Sequence, residues 1–537
     1  MSSPNVLLVM TDEERYPPPY EGGELETFRR EQLPARAALL RSGLEFHRHY
    51  VASTACAPSR ASLFTGQYPS LHGVTSTDGL AKPATGPDIT WLDPDAVPTL
   101  GDWFRAGGYE AHYRGKWHIS HADLTDPETG AGVLANDETG AVDPAGLDAY
   151  RRADRLDPFG FSGWIGREPH GADKADCGSV RDGIFADQVV EMFTDLARAG
   201  GPWLAVASFV NPHDIAFAGF GWEQLLGLAP PDDTVPDIPE APSQGDSFAD
   251  RPPCHEEFVR AWPNLLYAQA PDVAYRRLYY YLHKLVDAAI GRTLDALHDS
   301  GMADDTLVVF TSDHGDLLGA HGGLMQKWYN AFDEAVRVPL VLNGPGVRVR
   351  PVGIGIPTSH VDLVPTLLGL AGIDLTDAAA AVARDHAETR PLPGRDLSRV
   401  ITGTTDPADV RAPVYFMTED DVTRGSAQVN IFTNTRYEAV IHPSKVESVV
   451  ALLPTGADGT DELWKLVHYY ERLDAWHESQ GQAIDGTASP AAEPFWELHN
   501  LTTDPEERHN LAPKAPPALA TMQSTLEEER DKKRLLP

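Results

Sequence analysis

The chain has 537 residues, with 44 Lys+Arg against 79 Asp+Glu, a formal net charge of −35 and 42% hydrophobic residues. This length buries a large core and predicts two or more domains, while the acidic balance disfavours nucleic acid or an anionic membrane surface as a bulk partner. Three widely spaced cysteines, Cys56, Cys177 and Cys254, argue against a disulfide framework or a cysteine-rich zinc site.

The opening "MSSPNVLLVMTDEE" holds a five-residue apolar run and no basic region, so no secretory signal is expected, and no window reaches the ~18 apolar residues of a membrane span. A cytoplasmic protein is the expectation. In chain order, "NVLLVMTD" (5–12) reads as a buried strand, and 97–118 reads as helix, Gly-Gly stop, strand and polar turn. "WLAVASFVNPHD" (203–214) is a second buried strand. A long amphipathic helix (275–297) leads into a third, "TLVVFTSDHGD" (306–316), and "VPLVLNGPG" (338–346) is a fourth. A helix opened by a polar cap follows at 359–372. Alternation of this kind predicts an α/β fold, a large mostly parallel mixed sheet with helices on both faces. Residues 214–262, rich in Pro, Gly and Asp, read as an insertion over one sheet edge, and 375–411 as a domain junction. Beyond it, segments 413–420, 428–435, 437–443 and 496–501 suggest a smaller antiparallel sheet, closed by a charged helix over 514–535. The boundaries expected are a catalytic domain over 1–405 and a C-terminal subdomain over 406–537.

The densest polar clusters follow the carboxyl ends of these strands: Asp12-Glu13, Lys116-Trp117-His118, His213 and Asp313-His314. In open α/β sheets that rim is where ligands bind. Asp12, Glu13 and Asp313 offer hard oxygens and His314 a nitrogen, which together suit a divalent cation. Taken singly, Asp12 could cap a helix and Asp313 open a turn. Arg60, Lys116 and Lys327, with His118 and His213, would spread the charge of a tetrahedral oxyanion. Lys327 alone could be a solvated lysine, and His118 a ring packed on a carbonyl.

The stretch "CAPSRASLFTG" (56–66) then carries a resemblance. It resembles the signature of the type I sulfatases of the alkaline phosphatase superfamily, in which the cysteine is oxidised after translation to formylglycine. "NVLLVMTDEE", "GYEAHYRGKWH", "SDHGDLLGAHG" with "QKWYNAFDEAVRVPLVL", and "WELHNLTTDPEERHNLA" are similar to further segments of that family, in the family's order. The resemblance runs over about 4–372 and again over 495–512.

The resemblance implies the following roles. Cys56, as a hydrated aldehyde, supplies a gem-diol: one hydroxyl attacks sulfur, and the other later gives up its proton to expel sulfate. Asp12, Glu13, Asp313, His314 and residue 56 hold one divalent metal. Arg60 stabilises the diol, Lys116 and Lys327 clamp sulfate oxygens, His118 orients the diol or accepts its proton, and His213 serves the leaving oxygen. A small sulfate ester is the implied substrate, and a formylglycine-generating enzyme the implied partner in maturation. Calcium is the family's expected ion. The Glu13 and His314 positions depart from the usual Asp and Asn, and a nitrogen donor leans towards manganese or magnesium. Phosphonate monoester hydrolases of the same superfamily are the alternative, against which "GKWH" speaks. An inactive sulfatase-like binding protein would require an unmodified Cys56.

Overall fold

The computed structural model describes residues 3–533 apart from 170–172, 219–226, 228–229, 267–269, 431–432, 442 and 471–492. A six-stranded sheet forms its centre, built from β1 (Asn5–Asp12), β2 (Leu44–Glu45), β3 (Glu110–Gly115), β4 (Trp203–Pro212), β5 (Thr306–Ser312) and β6 (Leu340–Asn343). The spatial order is β2-β6-β5-β1-β4-β3. β3, β4, β1 and β5 run parallel, as the alternating pattern predicts. β6, expected as a fourth strand, lies antiparallel to β5, which makes the sheet mixed. The reason is the connection: parallel neighbours need a crossover along the sheet, whereas residues 313–339 between β5 and β6 hold two four-residue helices and no crossover helix.

The apolar run of β1 is continuous because both of its faces are covered. Val6, Leu8 and Met10 enter one core cluster with residues of α1 (Cys56–Thr65), α2 (Leu100–Ala106) and a later helix, Leu363–Ala371. Leu7 and Val9 enter another, with α3 (Gly178–Ala199) and the long helix Val273–Asp299. Period-two alternation therefore divides one strand between two cores. Asp272 caps the long helix by accepting from the Tyr275 amide at 2.9 Å, and Thr99 with Asp102 makes a capping box on α2.

Residues 375–411, expected to be a junction, instead form helices Leu375–Val382 and Ser398–Ile401, whose Ala378, Val382, Val400 and Ile401 are buried in the first core. After them comes a four-stranded antiparallel sheet, β7 (Val414–Thr418), β8 (Lys445–Leu453), β9 (Glu462–Tyr470) and β10 (Phe495–Asn500), in that order. β7 and β10 match the expected strands. The expected strands at 428–435 and 437–443 give way to an isolated Val429–Arg436 bridge and a loop, with 431–432 and 442 outside the described residues. β8 and β9 were not expected, because their charged positions are buried in ion pairs: Glu447 with Arg530, and Lys465 with Asp333 at 2.6 Å. The closing helix spans Pro517–Lys533, with 534–535 of its expected range outside the described residues. Its Ala518, Met522 and Leu526, spaced by four, pack on Tyr415, Val449, Leu466 and Leu498.

Three buried glutamates brace this part of the molecule. Burial opposes their ionisation, yet His321 holds Glu334 down to about 2, His468 and Arg530 do so for Glu447, and Arg251 and His499 for Glu497. Folded values below the ordinary 4.5 mean that their stabilisation is complete above about pH 4.5 and is lost as pH falls towards 2. Urea unfolding monitored by fluorescence is therefore expected to show a midpoint that drops steeply below about pH 4.5, each carboxylate contributing of order 1–3 kcal/mol. A midpoint that holds steady into that range would contradict this.

Candidate active site

Helix α1 is unusual in having all ten residues buried. Ser62 and Thr65 donate to the carbonyls of Pro58 and Ala61, four residues back, whereas Ser59 donates to the distant Asp313 carbonyl. Gly66 ends the helix at φ +66°, the left-handed conformation that glycine adopts without cost. Cys56 is the first helical residue, and the Ala57 amide at this end donates to Thr77 Oγ1.

One turn along, Arg60 is fully buried and joins the ends of four strands. Its Nε donates to Asp313 Oδ2 at 2.7 Å, Nη2 to Asp12 Oδ2 at 2.9 Å, and Nη1 to Ser208 Oγ at 2.9 Å and the Lys116 carbonyl at 2.8 Å. The guanidinium is thus committed to holding the acidic cluster together. Lys116 Nζ adds a second cation, 2.7 Å from Asp12 Oδ2. Burial works against the Asp12 charge, but Lys116 and Arg60 outweigh it and hold the carboxyl well below its usual range.

Cys56 Sγ lies 3.7 Å from Asp12 Oδ1 and 3.1 Å from His314 Nε2. His314 Nε2 is in turn 3.8 Å from both Asp12 Oδ1 and Asp313 Oδ1. Ligand atoms of Asp12, Cys56, Asp313 and His314 all fall within 4.8 Å of one another. The chemistry of this set fits a divalent cation. Burial keeps the His314 ring neutral, and its Nδ1 sits 2.9 Å from the Gly315 carbonyl, which can only accept, so Nδ1 carries the proton and the Nε2 lone pair faces the cluster. Glu13 stands beside this group rather than in it, grouping with Asp12 and His213. Its Oε2 accepts from Lys327 Nζ at 3.0 Å, while Oε1 is buried with no hydrogen-bond partner among the described residues.

The predicted cations surround the same point. Burial disfavours charge on Lys116 and Lys327, yet Asp12 for the first, and Cys56 with Glu13 for the second, hold both above the ordinary lysine value. His118 Nε2 lies 2.5 Å from Asp78 Oδ1, and despite burial that carboxylate raises the imidazole to about 9. His213 is the opposite case: burial and then Lys116 push it well below its usual value, so it is a neutral ring. Backbone strain concentrates here, with Glu13, His118 and Gln326 at φ of 71°, 58° and 65°.

A cavity of about 400 Å³ opens from Cys56, Lys116, His118, His213 and Lys327. Leu80, Phe217, Trp262, Leu266, Trp328 and Val422 supply an apolar wall. All ten predicted site residues therefore meet at one place, Asp12, Glu13, Arg60, Asp313 and His314 beneath the other five. Of the nearby aromatic residues, Trp328 lines the cavity, while Trp117 and Tyr329 are core and Trp91 flanks His118. Asp78, Lys82, Phe217 and Trp262 escaped the sequence reading. Asp78 and Lys82 sit in a loop without periodicity, and the latter two in the expected insertion, whose apolar residues are the one signal that pointed there.

Comparison with known proteins gives a consistent result. The family model described as Sulfatase matches residues 4–373. An uncharacterized sulfatase, YidJ, of Escherichia coli K12 is 29% identical over 388 residues, covering 70% of this chain and 69% of that one. A choline-sulfatase of Rhizobium meliloti is 27% identical over 397 residues, covering 70% and 69%. The fold resembles the crystal structure of a putative sulfatase from Bacteroides thetaiotaomicron, with a TM-score of 0.62 at 20% identity over 99% of this chain and 93% of that one.

The donor set makes a direct prediction. Chelator-treated protein is expected to melt at a higher temperature when calcium, manganese or magnesium is returned, because an ion that binds only the folded state stabilises it. His314→Ala and Asp313→Asn should each abolish that rise, as followed by differential scanning fluorimetry. Equal rises in parent and variants would place the ion elsewhere.

Proposed function

Because this chain belongs to the sulfatase family, we propose that it hydrolyses sulfate monoesters of aryl or alkyl alcohols, with residue 56 acting as formylglycine beside a divalent cation. The observation that carries this reading is the position of Cys56 Sγ, 3.1 Å from the His314 Nε2 lone pair at the head of a buried helix. Sγ stands where a hydroxyl of the hydrated aldehyde would lie. A cation held by Asp12, Asp313, His314 and residue 56 supplies positive charge that favours a deprotonated hydroxyl and draws density from the ester oxygens. Calcium is the ion we favour from the family, with manganese or magnesium as alternatives.

The chain's own residues divide the remaining work. Lys116 and Lys327, both charged and both lining the cavity, spread the negative charge of the sulfate oxygens. His118, held charged by Asp78, acts as a donor that orients residue 56, so the resting enzyme uses it for positioning rather than as a base. His213 is neutral, which favours hydrogen-bond donation to the leaving oxygen over full proton transfer. Arg60 acts from beneath, fixing the two carboxylates in place. Maturation by a formylglycine-generating enzyme belongs to this proposal, as does a location in the cytoplasm.

Mass spectrometry of the peptide spanning Cys56, from active protein, is expected to show the aldehyde in place of the thiol. Sulfate release should then exceed phosphonate monoester cleavage across a panel of aryl, alkyl and choline sulfates and a phenyl phosphonate monoester. Cys56→Ala should abolish turnover, and Lys116→Ala or Lys327→Ala should lower kcat by about 100–1,000-fold. A fully occupied thiol in active protein, or preferred cleavage of the phosphonate, would defeat the proposal.

A further inference from the structure

Among the described residues five basic side chains line the cavity, and all but the neutral His213 are paired with a carboxylate. Lys116 meets Asp12, Lys327 meets Glu13 and His118 meets Asp78, all at the Cys56 end. The fourth, Lys82, differs in its partner and its neighbours. It is 1% exposed, and its Nζ donates to Asp420 Oδ1 at 2.6 Å. Asp420 is itself 2% exposed and belongs to the segment after β7, in the C-terminal sheet region. Its Oδ2 accepts from the Trp328 indole Nε1 at 3.0 Å and from the Thr77 amide at 3.2 Å. Thr77, Lys82 and Trp328 all line the cavity. One buried carboxylate thus fixes three wall residues drawn from two separate loops, and it cancels the one cation among the described lining residues that lies outside the site around Cys56.

We propose that the Lys82–Asp420 pair sets the leaving-group specificity of this chain. It keeps the apolar wall electrically neutral, so esters of uncharged alcohols are accepted over esters whose alcohol carries a carboxylate or an ammonium. This inference rests on the sulfatase reading above and names the substrate class of that site. The physical basis is desolvation: a charged leaving group entering a wall of Leu80, Phe217, Trp262, Leu266 and Val422 loses water and finds both local charges already spent on each other. Discrimination of this kind works by withholding a partner from the wrong substrate. Trp328, held at its edge by Asp420 and packed 5.8 Å from Trp262, then offers an apolar flank to a flat or compact group.

The reciprocal charge change is the test. Phenyl sulfate, 4-carboxyphenyl sulfate and choline sulfate are compared by kcat/KM in the parent, in Asp420→Asn and in Lys82→Met. The parent should prefer phenyl sulfate. Asp420→Asn leaves the Lys82 ammonium uncompensated and should raise the 4-carboxyphenyl to phenyl ratio about tenfold or more. Lys82→Met leaves the Asp420 carboxylate uncompensated and should raise the choline to phenyl ratio similarly. Because each result is a ratio within one preparation, a reduced folded fraction cancels, and either variant alone decides if the other fails to fold. A parent that prefers a charged ester, or ratios that do not move in an active variant, would overturn the proposal. A parent that cleaves none of the three sulfates would instead bring down the sulfatase reading, and this inference with it.

Discussion

The structure depends on keeping two carboxylates, Asp12 and Asp313, close together where neither touches water. Like charges at that separation in a poorly polarisable interior repel strongly, and each also forfeits its hydration. Arg60 resolves the conflict because a guanidinium is planar, permanently charged and able to donate in several directions at once. No lysine could reach Asp12, Asp313, Ser208 and the Lys116 carbonyl from one place. The four parallel strands consequently end at a common point, and the sheet's order β5-β1-β4-β3 is what brings their ends within reach of one side chain.

Around that point, the surrounding cations are graded by environment rather than by residue type. Two histidines in the same cavity hold opposite states, because Asp78 faces His118 whereas burial and the Lys116 charge push His213 below its usual value. The strained conformations of Glu13, His118 and Gln326 fall at the same rim. Rigid strands and a buried helix on one side, and loops held by ion pairs on the other, are what keep such conformations occupied.

Much of this was legible in the sequence, for reasons that are themselves physical. β1, β4 and β5 announced themselves because strands covered on both faces must be apolar at every position, and polar clusters at their ends stood out against those runs. Cys56, Arg60, Lys116 and Lys327 were legible as a set because the segments that hold them resemble those of the sulfatase family, in the family's order. What remained hidden was whatever depends on pairing between distant segments. Lys465 in β9 reads as a surface charge until Asp333 and Glu507 are seen beside it. Asp78 and Asp420 carry no local signal, since each matters through a partner 40 or 338 residues away. The direction of β6 was hidden for a related reason, since it turns on what the connection from β5 leaves out rather than on the strand itself.

The complete enclosure of α1 has an effect on timing. Cys56, Pro58 and Arg60 are buried, and every face of their helix is occupied by neighbours distant in the chain. Any protein that had to grip those three residues in order to alter the first could do so only while the segment was still extended. If such a protein alters residue 56, the change comes before the molecule closes over it, and the finished fold then preserves that outcome.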